Sequence, residues 1–465
     1  METTENKLGT APVGKLLFSL ALPAIAAQVI NALYNIVDRI YIGRLPGSEG
    51  SLALAGLGIA YPLILIISAF ASLVGMGGAP RASIKMGQKH HDGAERILGN
   101  SFVMLLILSA VLTAFFLALK TPLLSLFGAT EDILPIADEY FTIYLCGTLF
   151  VQLPLGLNPF ISAQGFAKTS MLTVAIGALS NIILDPILIF GLDMGVSGAA
   201  IATVASQFIS AVWVMAFLCS KKSGLRIRRC RLGLQPKVIG PVIALGVSPF
   251  IMQATESLVQ LALNGGMKSY GGAEANTLVG AMTIMISIMQ FLLMPLVGLT
   301  QGAQPIISYN YGANRLGRVK RTFRLLFISS MTYSTLMWAL CMLFPQLFML
   351  VFTNDAPTVA AGTSGLRIFA AGLLLLGAQY SCQQTLVALG QAKVSLVLAL
   401  LRKVILLIPL AVVLPIFFGV GGIYVSEPIA DVVAALTTTT VFYFIQKKLF
   451  RSPGLPAGEK KQAGI

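Results

Sequence analysis

Five carboxylates stand within or at the ends of long apolar runs: Asp38, Asp185, Glu256, Glu427 and Asp431. A charge at that depth in hydrocarbon costs about 3 kcal/mol on insertion scales, so each acid needs a structural partner or a function. The chemistry open to such a group is exchange. A carboxylate can hold a proton, a sodium ion or a cationic ligand, but not all at full strength, so the occupants compete. Asp185 precedes Pro186 and follows Asn181 by four residues, which puts both side chains on one helix face. Asp38 adjoins Arg39 and reads either as an ion-coupling group or as a residue at the water boundary. Glu256 follows Pro249, where an opened backbone could join it in holding a cation, with Gln253 and Gln260 about one turn away on either side; a hydrogen-bonded clamp between helices is the alternative. Glu427 and Asp431 are spaced i, i+4 around Pro428 and serve as structural or interfacial support. Met282, Met285 and Met289 recur at helical spacing, as an adaptable wall for varied ligands or as ordinary packing.

These residues need long helices to carry them. Of the 465 residues, 56% are hydrophobic and 11% charged, far from the balance of a chain folded in water. Twelve runs are long enough to cross a hydrocarbon core: 16–37, 52–75, 97–119, 140–160, 171–190, 198–218, 238–263, 278–299, 325–350, 366–389, 394–418 and 423–445. They are continuous and lack the alternation of barrel strands, so the fold class is an all-α membrane protein. The first run is too long for the core of a cleavable signal and is expected to stay as an anchor.

The net charge of +14 is a matter of topology. All but five of the 32 Lys and Arg residues, the exceptions being Arg39, Arg44, Lys120, Lys268 and Arg367, fall on one side when alternate loops are assigned together. That side reads as the cytoplasm of a bacterial plasma membrane, with both termini inside. No basic-aromatic module stands outside the membrane, so the partners expected are the lipid bilayer and small ligands, with no nucleic acid. Cys146, Cys219, Cys230, Cys341 and Cys382 are scattered and read as free thiols, and the adjacent His90 and His91 read as a solvated surface pair. No metal site is expected beyond sodium, no cofactor, and no enzyme chemistry, since no nucleophile-base pair or nucleotide loop is found.

The chain repeats itself. Leu22-Pro23 answers Ser248-Pro249, Gly77, Gly87 and Arg96 answer Gly302, Gly312 and Arg321, and Gly165-Phe166-Ala167-Lys168 answers Gly390-Gln391-Ala392-Lys393. Six spans per half place both halves in the same orientation. The expected organisation is an N-terminal lobe over 1–219, a basic linker over 220–237, a C-terminal lobe over 238–447 and a tail over 448–465. Pro23 and Pro249, at matched positions, are expected to bend spans 1 and 7, either for gating or for packing.

The run Leu22-Pro23…Asn35-Ile36-Val37-Asp38-Arg39…Gly43 resembles the opening signature of the multidrug and toxic compound extrusion family. Asn181-Ile182-Ile183-Leu184-Asp185-Pro186, continuing through Gly195–Thr203 to Ser206-Gln207, and Glu427-Pro428-Ile429-Ala430-Asp431 extend the likeness, which is greatest to its bacterial multidrug-export branch. The resemblance implies twelve helices in two pseudo-symmetric lobes around a V-shaped cavity, exchanging organic cations or drugs against protons or sodium; a monomer is expected. It assigns cation coupling to Asp38, Asn181, Asp185 and Thr203. In some branches it implies a further C-lobe site on an acid equivalent to Glu256 and another in span 10; the residues expected for a substrate or second cation site are Glu256, Gln253, Tyr34, Gln207, Met282, Met285 and Met289. Span 10 departs from the family pattern: it has no acid and offers Gln379, Gln383 and Gln384, which weakens a C-lobe sodium site and favours proton coupling in the N-terminal lobe. A flippase for lipid-linked sugars is the rival reading, but its cavity should be strongly cationic to hold phosphate. The spans read as leaving this cavity acidic, with Arg402 and Lys403 the main basic exceptions.

Overall fold

The computed structural model describes residues 7–45 and 49–449. The tail expected over 448–465 lies outside the described residues from position 450 onward. Among the described residues there are twelve spans, with one bent helix pair counted as a single span and the last long helix divided at Gly419. They are α1 (Val13–Gly43), α2 (Gly50–Gly87), α3 (His91–Leu126), α4 (Leu134–Cys146 and Thr148–Ala163), α5 (Ala167–Gly191), α6 (Gly195–Cys219), α7 (Pro236–Tyr270), α8 (Ala275–Gly312), α9 (Leu316–Leu343), α10 (Ala356–Ala388), α11 (392–418) and α12 (420–449). Most outrun the apolar segments that announce them. The run of α2 ends near Gly75, yet the helix continues through Arg81 and Lys85. A helix keeps satisfying its own backbone after its side chains turn polar.

Several spans are interrupted, each where the sequence gives a reason. The two parts of α4 meet at 58° around Gly147. Gly419, with φ 55° and ψ −139°, turns the chain from α11 into α12, a conformation only glycine adopts readily. A π-helical turn over Ile187–Gly191 follows Pro186, which has no backbone N–H to give. A second π-helical stretch, Leu401–Leu407, carries Arg402 and Lys403. Pro23 is accommodated within an unbroken α1, whereas α7 is interrupted at Thr255 and resumes at Glu256.

The two lobes meet at the end that carries the basic turns. Here α2 packs on α7, and α8 packs on α1 and α2. The helices approach so closely that glycine is required. A methyl group on Gly77 would run into the Val242 carbonyl oxygen, one on Gly87 into that of Tyr309, and one on Gly312 into that of Ile84, each well inside 3.0 Å. The repeat-matched glycines are therefore points of contact between lobes.

A strap from the N-terminus crosses the same end. Leu8, 1% exposed, is buried in an apolar cluster that includes Ala167 of one lobe and Ile307 and Leu389 of the other. Asn310 Nδ2 donates to the Leu8 carbonyl at 2.9 Å, Arg315 to that of Gly9 at 2.7 Å and Arg318 to that of Ala11 at 2.6 Å. The outer surfaces of the helices expose large apolar side chains such as Leu22, Phe417, Phe418 and Phe444, the surface expected against lipid.

Candidate functional site

The last turns of α1 and α5 come together within the N-terminal lobe. Asp38 and Asp185 are 8% and 0% exposed, and their carboxyls lie within hydrogen-bonding reach of each other. Asn181 is fully buried one turn before Asp185 and donates Nδ2 to its Oδ1 at 3.0 Å. Asp38 is thus no residue of the water boundary. Arg39, beside it in sequence, places its guanidinium over the Tyr61 ring at 5.2 Å. Among the described residues no ion pair reaches either carboxyl.

Three buried acceptors are left without partners: Asp38 Oδ1, Asp185 Oδ2 and Asn181 Oδ1. Buried polar atoms normally find partners, so a cluster of open acceptors around two acids is built for something that brings positive charge. Thr203 is buried nearby, beside Tyr140. Tyr140 and Tyr144, spaced i, i+4 on α4, close the surroundings; sequence reasoning missed them because tyrosine is unremarkable in an apolar span.

A chamber of about 340 Å³ lies between the lobes. Its wall holds Gln28, Asn31, Tyr34, Gln207, Gln253 and Gln301 but no charged side chain. The acids do not line it. Tyr34 does, one turn before Asp38, and so stands between chamber and acids. Two hydrogen bonds cross the chamber from lobe to lobe, Gln28 to Gln301 at 3.1 Å and Ser72 to Gln253 at 2.6 Å.

A second cavity, of about 410 Å³, lies in the C-terminal lobe and shares Ser72, Met76, Gln253 and Gln301 with the first. It corrects several expectations. Glu256 is clamped by Lys403, with Nζ 2.9 Å from Oε2, so the carboxylate read as a second cation site already has a resident cation. Asp431 is 1% exposed and bonded to Arg402 at 2.7 Å, and Glu427 lies 3.8 Å from the same guanidinium, so neither is interfacial. The cavity expected to be acidic holds both signs of charge. Met282 and Met285 are fully buried in the C-lobe core, and only Met289 reaches the cavity wall. The reason is geometric: residues three and four apart share a broad helix face, and the part of it pressed on α10 and its neighbours has no free space.

Comparison with known proteins gives a consistent picture. The MatE family profile matches twice, over residues 23–187 and 249–413. The multidrug export protein MepA of Staphylococcus haemolyticus is 25% identical over 94% of each chain, and that of Staphylococcus aureus strain NCTC 8325 is 25% identical over 94% of this chain and 95% of its own. Among solved structures, the MATE multidrug transporter DinF-BH is 34% identical, with a TM-score of 0.89 over 97% of this chain and 100% of that one. A multidrug resistance MATE family transporter of the MOP superfamily in an outward-facing conformation has a TM-score of 0.88 at 23% identity, over 97% of this chain and 99% of that one.

Proposed function

Because this chain belongs to the MatE family of multidrug efflux transporters, we propose that it exports organic cations or drugs by exchanging each for a proton held between Asp38 and Asp185. The observation that carries this reading is the pair of adjoining buried carboxyls with open acceptor oxygens and, among the described residues, no ion pair to either. A proton shared by the two satisfies both at once, and its departure leaves a charge that a cationic cargo in the neighbouring chamber can answer. Sodium could occupy the same oxygens and is the alternative coupling ion. Tyr34, placed between the acids and the chamber, is the residue through which one occupant senses the other.

The basic end is the cytoplasmic one on the positive-inside rule, which puts both termini inside and makes this a state closed toward the cytoplasm. Alternating access then requires the glycine-lined contacts at that end to part while the opposite end closes. The chain is read as acting singly, since each chain carries both lobes and the chamber between them. The flippase reading loses its footing, because the chamber is lined by no base and the two bases lining the C-terminal cavity, Arg402 and Lys403, are committed to carboxylates.

The test is efflux of a rhodamine dye or ethidium from a pump-deficient host, comparing the wild type with Asp185→Asn. Loss of efflux at unchanged membrane abundance is expected. Wild-type efflux in the Asn variant would refute the proposal.

A further inference from the structure

The cavity of the C-terminal lobe holds three carboxyls, Glu256, Glu427 and Asp431, against two bases, Arg402 and Lys403. Lys403 is matched to Glu256. Arg402 gives both Nε and Nη2 to a single oxygen, Oδ1 of Asp431, at 2.9 and 2.7 Å. Two bases answer two acids, and among the described residues Glu427 is left with one ion pair, at 3.8 Å, besides the field of Lys403 that it shares with Glu256. One negative charge is therefore in surplus: Arg402, Lys403 and Asp431 are 3%, 5% and 1% exposed, while the side chains of Glu427 and Glu256, at 13% and 31%, reach the cavity.

A second observation locates the surplus. Asp431 Oδ2 is buried and has no hydrogen-bond partner. It faces the point where α10 is interrupted by the tight turn Ala370–Gly372, and a methyl group on Gly372 would lie 3.1 Å from that oxygen. Glu427, four residues earlier, projects from the same face of α12. A broken helix beside an unmatched acid is the arrangement in which membrane transporters hold small cations.

We propose that Glu427 and Asp431 together hold one proton, giving the C-terminal lobe a titrating site of its own, apart from Asp38 and Asp185. A metal ion fits poorly where the Arg402 guanidinium already touches Asp431, whereas a proton adds charge without volume and turns one carboxyl into a donor. The ionisable groups facing the pair are Glu256 from α7, Tyr380 from α10, and Arg402 and Lys403 from α11. When the proton leaves, the cluster carries a net charge of −1, and its cavity adjoins the chamber through Gln253 and Gln301. Cationic cargo is then drawn toward this lobe.

The inference does not rest on exchange in the N-terminal lobe, and the experiment separates the two. Infrared difference spectra between near-neutral and alkaline pH, a range over which solvated carboxyls stay ionised, are recorded on the full chain in nanodiscs, in an Asp38→Asn/Asp185→Asn background. The expected result is one protonated-carboxyl band, about one proton per chain, that is lost in both Glu427→Gln and Asp431→Asn. Asp431→Asn strands Arg402 and risks misfolding; Glu427→Gln gives up only a long contact and decides the matter. A band that persists in Glu427→Gln, no band in the background protein, or a band abolished by sodium at fixed pH would each overturn the proposal.

Discussion

Asp185 and Glu256 are both acids at membrane depth, yet the structure gives them opposite surroundings. One keeps an open oxygen and an amide donor; the other is clamped by a lysine. This sets different expectations for their loss. Asp185→Asn should fold normally and lower proton-driven efflux at least about tenfold, the effect of losing about 1.4 kcal/mol of coupling, measured as initial rates in proteoliposomes. Lys403→Met leaves Glu256 uncompensated and should destabilise the chain by about 3 kcal/mol, the low end for a broken buried pair because Glu256 is partly in contact with cavity water. The double variant Lys403→Met/Glu256→Gln should recover most of that loss in thermal unfolding; failure to recover would mean that Lys403 acts through another group. The N-lobe acids were legible in the sequence, since acids are rare in such spans and Asn181 and Asp185 share a helix face. The clamp was not legible, because 147 residues separate Lys403 from Glu256 and only packing shows that they meet.

At the scale of helices, the informative residues are the smallest. The glycines that answer each other between the halves were visible as repeat landmarks, but their purpose, letting α2 and α8 approach α7, α1 and each other, needed the third dimension. Gly312→Ala would press a methyl group into the Ile84 carbonyl, against backbone that cannot swing aside. The lobes should then separate at the basic end. Spin-label distances between the 87–91 and 312–316 turns should lengthen, and efflux should fall several-fold. Gly265→Ala, where nothing lies within 4 Å, should leave those distances unchanged. Unchanged distances in Gly312→Ala would remove the glycine contacts from the gate. The π-helical stretch that carries Arg402 and Lys403 left no trace in the apolar pattern, because an added residue in a helical turn changes direction and not composition.

Across the whole molecule, the number of spans and their division into halves follow from apolar length and duplication, which the chain displays openly. Which way the chamber opens does not, because it depends on which of two packings the lobes adopt. If protons drive export, an acid exterior should power cargo movement, with each charge carried adding about 2.3 kcal/mol per 100 mV. A protonophore should abolish transport, while a sodium gradient of equal size at fixed pH should not sustain it. Transport that follows sodium alone would reassign the coupling ion. The strap at the N-terminus has a consequence for sequence change. Asn310, Arg315 and Arg318 grip main-chain oxygens, which every residue possesses, while Leu8 alone fills a slot. Relatives should therefore tolerate variation at Ala11 but not a side chain at Gly9, where a methyl group would lie 2.7 Å from Arg315 Nη1, nor an insertion or deletion before α1, because one residue of slippage would pull the leucine from its seat while leaving every arginine something to hold.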